Sequence, residues 1–388
     1  MAEVTNFEHN GVSVETTESP EAMGGLGDNV VGLVGTAPKA DASVPRNAPF
    51  RINSFTLAAL LDPTGTEAGS LYHTVHQILK VVKVPVYVIV VEEGATPADT
   101  LNNVIGGVDA TSGQVTGLGA LALCAEVPTI IGAPGFSDAQ AVHSELASLG
   151  KRIRARVVFD GLDTDVAGQV VNSQAIGGAE LGYDRCYMVH QMPAVYSKAA
   201  KANVFLPPSS LAIAAMAAVK QWESPGNQVT YAADVSRSVE YNILDKSTEG
   251  DLLNRYGVSY YARTTLGGFS LLGNRSITGK FISYVGLEDA ITRKLVKAAQ
   301  KVMAKNLTKT FMEQEVKRIN DWIQTLVADE TIPGGKVYLH PELNSVEKYK
   351  NGTWYLCIDY GRYAPNEHMI YQLNASDAII EEFLEDVL

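Results

Sequence analysis

The sequence predicts an α/β protein, with an N-terminal parallel or mixed sheet carrying helices on both faces, an α+β C-terminal domain and extended arms at both ends. Two observations carry the core of this reading. Continuous apolar runs recur at 30–34, 86–91, 129–132, 155–159 and 186–190, and strands apolar on both faces suit a buried parallel sheet. Helical periodicity fills the gaps between them. Leu71, Val75, Ile78 and Val82 share a face over 71–82, a second helix covers 137–149 with Ser137 as N-cap, and a third covers 164–176. Strand and helix alternating in this way describe a sheet covered on both sides.

In chain order, residues 1–27 read as an N-terminal arm and hinge. Val12, Val14 and Thr16 alternate with Ser13 and Glu15 between the breakers Gly11 and Pro20, giving a short strand with no evident partner of its own. Such a strand is suited to a neighbour's sheet edge, and a disordered tail is the alternative. Gly24, Gly25 and Gly27 form the hinge. The α/β domain spans 28–225, with Pro45, Pro49 and Pro63 marking an irregular surface excursion inside it. From Gly226 the texture shifts to Gly, Asn, Ser and Tyr, with short strands at 258–263 and 269–272. Two long helices at 287–305 and 310–327 and strands at 337–339, 354–360 and 369–373 complete an α+β domain over 226–375. Residues 376–388 are a C-terminal arm or docking segment.

At roughly 100–200 residues per domain, a chain of 388 residues has length for two or three domains with real cores. Hydrophobic residues at 46% and charged residues at 19% exclude a disordered or collagen-like chain. A net charge of −12 disfavours a polyphosphate partner for the protein as a whole, so no direct nucleic-acid contact is expected. Cys124, Cys186 and Cys357 are odd in number, far apart and in apolar contexts, and read as reduced core residues. The longest apolar run, 211–219, is well short of the ~18–20 residues of a membrane span, so no stable membrane insertion is expected. Glu3 and Glu8 stand where a signal peptide would be basic, which predicts a protein made and assembled in a cytoplasm.

The search for chemistry yields weak candidates. The glycines from Gly24 to Gly35 precede and punctuate a strand rather than opening a helix, and no phosphate-binding loop motif occurs. His73 and His76 have the i, i+3 spacing of metal ligands, but no carboxylate or third histidine is near them in sequence, so no metal or cofactor is expected. Asp160, Asp163 and Asp165 follow the strand ending at Phe159, where ligands sit in open parallel sheets. This keeps an α/β hydrolase or nucleotide-binding enzyme as the alternative reading, with helix capping as the plainer role for these residues. No nucleophile elbow is present, and the seven histidines are scattered.

Charge segregation says more. From Arg293 to Arg318 eight bases face two acids, Glu313 and Glu315, a local +6. Arg293, Lys297, Lys301 and Lys305 recur at i+4, so one helical stripe would hold like charges together until an anionic partner relieved them; a solvated face is the alternative. Lys309, Lys317 and Arg318 extend the basic segment. The C-terminus is opposite in sign. Asp377, Glu381, Glu382, Glu385 and Asp386 surround Ile379, Ile380, Phe383 and Leu384, the pattern of a short amphipathic docking helix.

The chain resembles the tail sheath proteins of contractile-tailed bacteriophages, in the short form of temperate phages and R-type bacteriocins. The resemblance lies in 7–14 (FEHNGVSV), 30–38 (VVGLVGTAP), 104–108 (VIGGV), 128–134 (PTIIGAP), 224–227 (SPGN), 272–276 (LGNRS) and above all 337–345 (VYLHPELNS), in order through nearly the whole chain. It implies a structural virion protein without catalysis, assembled in the host cytoplasm as stacked hexameric rings around a tail tube. Its partners would be itself, the tube protein, and baseplate and tail terminator proteins. Contraction would drive the tube through the host envelope. The resemblance also implies that arms, here carrying Val12, Val14 and Thr16 at one end and Ile379, Ile380 and Phe383 at the other, link neighbouring subunits. The basic residues Lys297, Lys301, Lys305, Lys309, Lys317 and Arg318 would then face an acidic tube.

Overall fold

A computed structural model describes residues 23–387; the expected arm strand with Val12, Val14 and Thr16 lies outside the described residues. The chain divides into two contact units. The larger comprises Asp28–Ala290 and the residues from Ala364 onward, and the smaller comprises Ile291–Tyr363 with the described residues 23–27.

The larger unit is organised by β1 (Val31–Thr36), all six residues of which are buried. Its glycines are required by close packing. A methyl on Gly35 would lie 2.2 Å from Ser70 Oγ, and one on Gly32 would lie 2.9 Å from a ring carbon of Pro128. The candidate phosphate loop is thus a packed strand. β2 (Phe50–Ile52), α1 (Phe55–Ala58) and α2 (Leu71–Val81) lead to β3 (Val86–Val91), which pairs in parallel with β1 from Val31 opposite Val86. After α3 (Pro97–Ile105), β4 (Ile130–Gly132) pairs on the other side of β1. Then α4 (Gln140–Ile153), β5 (Arg156–Asp160), α5 (Val166–Ala175) and β6 (Cys186–Val189) extend the parallel array.

A small antiparallel sheet branches off, with β7 (Pro193–Ser197) and β8 (Ala202–Phe205), before α6 (Ser209–Ala218) returns to the main sheet. Next come β9 (Gln228–Val229), β10 (Asp234–Val235), α7 (Glu249–Arg255), β11 (Val258–Thr264) and β12 (Gly268–Leu272). Among the described residues the main sheet has nine strands, in the order β2-β3-β1-β4-β5-β6-β11-β12-β9. It is mixed, because β2, β12 and β9 pair antiparallel. The change of texture at Gly226 therefore falls inside one sheet.

Alternation along the strands separates two cores. Val31 and Leu33 with Val86, Val88 and Val90 face α2 and α6, while Val34, Ile89 and Val91 face Leu118, Leu121, Val142 and Leu146. α6 is apolar all round and nearly all buried, which accounts for the longest hydrophobic run in the sequence. No helix among the described residues is long and apolar enough to cross a membrane. Beneath the sheet, Asn29 takes Arg156 Nη2 on its Oδ1 at 2.7 Å and donates to Val219 O at 2.7 Å, joining the start of β1 to the end of α6. Arg185 and Asp289 form a buried ion pair at 2.7 Å. The three cysteines are free, with Cys124 and Cys186 buried and Cys357 half-buried.

The smaller unit is built on α8 (Ile282–Gln300) from Ile291 onward, α9 (Lys309–Ala328), β13 (Gly335–Leu339), α10 (Val346–Lys350) and β14 (Leu356–Tyr360). Ile319, Trp322, Ile323 and Leu326 are the buried stripe of α9, which packs on β13. β13 and β14 make a two-stranded antiparallel sheet, Gly335 opposite Tyr360. The chain ends in α11 (Asp377–Val387).

Four expectations need correction. Ser137 does not cap a helix; α4 begins three residues later, and the Ser137 hydroxyl instead donates to Asp160 at 2.7 Å. The excursion at 45–63 is not irregular surface, since β2 joins the sheet and Ile52, Ala58 and Leu61 are buried. α8 stops at Gln300 rather than at 305, and the chain turns through Ala304, whose φ is +66°. Residues 369–373 form no strand and join none of the sheets among the described residues, so the expected strand there is not present.

Two buried imidazoles set an acid limit. Burial lowers His143 and His190 from 6.5 to about 4, so the folded state binds fewer protons than the unfolded chain between those values. Their contribution is complete above pH ~6.5 and is lost as pH falls toward ~4, by at most ~3 kcal/mol for each ring. Denaturant titrations between pH 7 and pH 4 should show this fall. His190→Leu, which strands no partner because neither ring nitrogen is hydrogen-bonded, should flatten it.

Candidate functional site

The candidate enzyme site does not assemble. Asp160, buried at the end of β5, receives Gly135 N at 2.9 Å and Ser137 Oγ at 2.7 Å on one oxygen and Ser209 N at 2.8 Å on the other. Burial pushes its carboxyl up, and the hydrogen bonds from Ser209, Ser137 and Gly135 oppose that. All these donors come from its own fold, so Asp160 ties β5 to α6 and to the loop after β4. Asp163 pairs with Arg237 at 3.0 Å, and Asp165 caps α5 by accepting from Gly168 N. The three carboxylates are each committed to separate local contacts.

The histidine pair is different from its sequence reading in one respect. Glu67 lies 3.4 Å from His73 Nε2, a carboxylate six residues away that a helix-face argument does not bring near. Glu67 also accepts from Ser197 Oγ and, at 3.1 Å, from Lys198 N, so it fastens the β7–β8 turn. Burial lowers His73, with Glu67 opposing, and His76 Nδ1 is 2.9 Å from Tyr72 O. Among the described residues no group of three or more His, Cys, Asp or Glu is arranged to hold a metal ion.

The basic segment is redistributed by the end of α8. Lys297 sits on the last turn of the helix, whereas Lys301 and Lys305 lie in the turns beyond it, so the four-residue repeat does not continue as one helical stripe. The bases remain close enough to interact. Burial lowers Lys294, and the charges of Lys297 and Lys301 lower it further. Lys297, Lys305 and Lys317 are exposed, and Lys309 is exposed with Glu313 3.8 Å away. Arg318 is the exception: its guanidinium forks onto Glu315 one turn back, and both side chains are about nine-tenths buried. It is a fixture of α9.

The C-terminal end is unlike the rest of the fold. From His368 to Val387 every residue is exposed, including Met369, Ile370, Tyr371 and Leu373 in the extended stretch and Ile379, Ile380, Phe383 and Leu384 on α11. Leu373 is 93% exposed and Ile379 67%. Exposed apolar sets of this size are typical of interaction surfaces. Sequence reasoning placed the docking segment at 376–388 and assigned 369–373 to the domain; Pro365 and the absence of a turn returning to β14 were the available signals. In the hinge, Gly27 has φ +86°, a conformation open to glycine, and adjoins the unit boundary.

Among the described residues, the polar ends of the layered sheet are tied up internally and a long terminal segment is exposed. The comparisons specify the class. The chain is 26% identical to a prophage major tail sheath protein of Pseudomonas aeruginosa (strain UCBPP-PA14), over 92% of this chain and 93% of that protein. It is 25% identical to the tail sheath protein of Escherichia phage P2, over 98% of both chains. Its fold matches a sheath chain from an extracellular contractile injection system in the contracted state, with a TM-score of 0.71 at 14% identity over 97% of this chain and 100% of that one. No protein-family model matches the chain. The chain is a homologue of phage tail sheath proteins and has the contractile-sheath fold, which supports a structural role and not the enzyme alternative.

The split within the basic segment is testable on the isolated subunit. Arg318→Ala strands the buried Glu315 carboxylate and should lower stability by about 1–3 kcal/mol. Lys317→Ala, at an exposed position, should stay within about 0.5 kcal/mol. Denaturant unfolding of both variants reads the difference.

Proposed function

We propose that the chain is the subunit of a contractile tail sheath, polymerising as stacked hexameric rings around a tail tube and contracting to drive the tube through a host cell envelope. The observation that carries this reading is the likeness to tail sheath proteins over nearly the full length of both chains. Its partners are a second copy of itself, the tube protein, and baseplate and tail terminator proteins. It works in the virion tail after assembly in the host cytoplasm.

The physical account needs no nucleotide. In an extended lattice the subunits occupy a metastable packing, and contraction is the change to a lower packing while the links between copies persist. The arms supply those links. The stretch 369–373 has strand-like composition and no partner among the described residues, and β13–β14 is a two-stranded sheet whose outer edges are unpaired there. Adding a strand to such an edge forms backbone hydrogen bonds worth ~0.5–1.5 kcal/mol each, and many such links hold a lattice. Burying an exposed Ile or Phe of α11 on the neighbour adds about 1.5–3 kcal/mol for a full side chain. Residues 1–20, with Val12, Val14 and Thr16, serve as the second arm, and Gly24, Gly25 and Gly27 let it turn as subunits rotate.

Tube contact falls to Lys297, Lys301, Lys305, Lys309 and Lys317. Exposed charges of this kind steer docking and release easily, since each contact is weak. Arg318, once placed in this set, is withdrawn because its charge is already paired inside α9.

Electron microscopy of the purified protein should show long hollow cylinders; compact particles alone would sink the reading. Ile380→Asp should reduce cylinder formation while leaving subunit melting within a degree or two, whereas a large loss of melting temperature would put Ile380 in its own core. Co-assembly with tube should weaken as salt rises, because such charges are screened beyond ~8–10 Å. Lys305→Glu with Lys317→Glu should abolish it without preventing tube-free polymerisation, and undiminished tube binding would leave these bases as a solvated face.

A further inference from the structure

The LGNRS run at 272–276 entered as a mark of likeness with no role attached. In the fold its arginine is preset by its own loop. Arg275 and Phe281 form an isolated antiparallel bridge, the guanidinium lies 4.0 Å from the centre of the Phe281 ring, and Nη1 donates to Gly279 O at 2.8 Å. This fixes the plane of the side chain and leaves Nε and Nη2 pointing out together. They meet Glu367: Nε lies 3.1 and 3.2 Å from its two oxygens, and Nη2 lies 2.7 Å from Oε2. A fork on a carboxylate fixes direction as well as distance, which a lysine in the same place would not.

The position of Glu367 gives the pair its meaning. Pro365 is the last half-buried residue, and Glu367 stands at the start of the fully exposed stretch that runs from Asn366 to Val387. We propose that the Arg275–Glu367 pair anchors the root of the C-terminal arm and sets the point and direction at which the arm leaves its own subunit, making Arg275 a positioning residue for the link to a second copy of this chain. The inference rests on the sheath reading, in which that arm reaches a neighbour.

The magnitudes fit positioning rather than fastening. Extended chain over 368–376 spans at most ~30 Å and α11 adds ~16 Å, so an arm free to swing from further back would search a large volume. Fixing its root raises its effective concentration at the receiving surface without adding a contact there. The pair is itself about one-third exposed, so it is a modest, salt-sensitive bias.

Four variants of the full chain test this: Glu367→Gln, which leaves Arg275 stacked on Phe281; Arg275→Lys; the charge swap Arg275→Glu with Glu367→Arg; and deletion of 368–387. The concentration needed for cylinder formation should rise about three- to tenfold in Glu367→Gln and somewhat less in Arg275→Lys, and the swap should return it to within about twofold of wild type. Melting of the unassembled subunit should not move. A spin label at Met369→Cys should become more mobile in Glu367→Gln. If the deletion abolishes assembly while Glu367→Gln assembles normally, the anchor is wrong and the arm reading stands. Normal assembly by the deletion overturns the arm reading and the anchor with it. Loss of subunit melting in Glu367→Gln, or impaired single variants that the swap does not rescue, would reduce the pair to an ordinary structural contact.

Discussion

A strand buried on both faces must satisfy its backbone within the sheet, and β1 does so by pairing in parallel with β3 on one side and β4 on the other. Much of the larger unit follows from that constraint. Parallel neighbours require crossovers, which place α2 and α6 over one face and α3 and α4 over the other. The close approach of those layers is why Gly32 and Gly35 stand where a side chain would collide. Polar groups at the strand ends are drawn inward to complete the packing, as with Asn29 at the start of β1 and Asp160 at the end of β5.

The same constraint explains how Asp160, at the position most suggestive of an active site, is engaged. The C-terminal edge of a parallel sheet is where backbone amides converge, and Asp160 collects three of the nearby donors by itself. A carboxylate so employed is a structural joint between β5, α6 and the loop after β4. A subunit that moves as a body within a polymer, as proposed for this chain, would gain from rigidity of this kind.

In the proposed sheath, assembly would be left to elements outside that core. The C-terminal stretch and α11 expose apolar residues that a folded subunit would otherwise bury, and the exposed lysines of the smaller unit would be available for weak, reversible contacts. Strong links through arms and weak links through surface charge are suited to different demands: subunits must stay joined as the lattice changes, yet release what they surround.

The strands at 86–91 and 155–159, the helices at 71–82 and 310–327 and the amphipathic C-terminal helix were legible from the sequence, because periodicity and burial are local consequences of which residues are apolar. The order of the residues also carried the resemblance to tail sheath proteins, and with it the function. Tertiary structure decided what depends on partners distant in the chain. Whether 369–373 pairs as a strand depends on which edge it meets, and among the described residues it pairs with none. The charge of Arg318 was lost to Glu315 because both lie on the buried side of one helical turn, and Glu67 reached His73 because a loop folds back over α2. Arg275 and Glu367 are 92 residues apart, and the sequence has no way to express that a fork built in one loop meets a carboxylate at the start of the exposed C-terminal stretch.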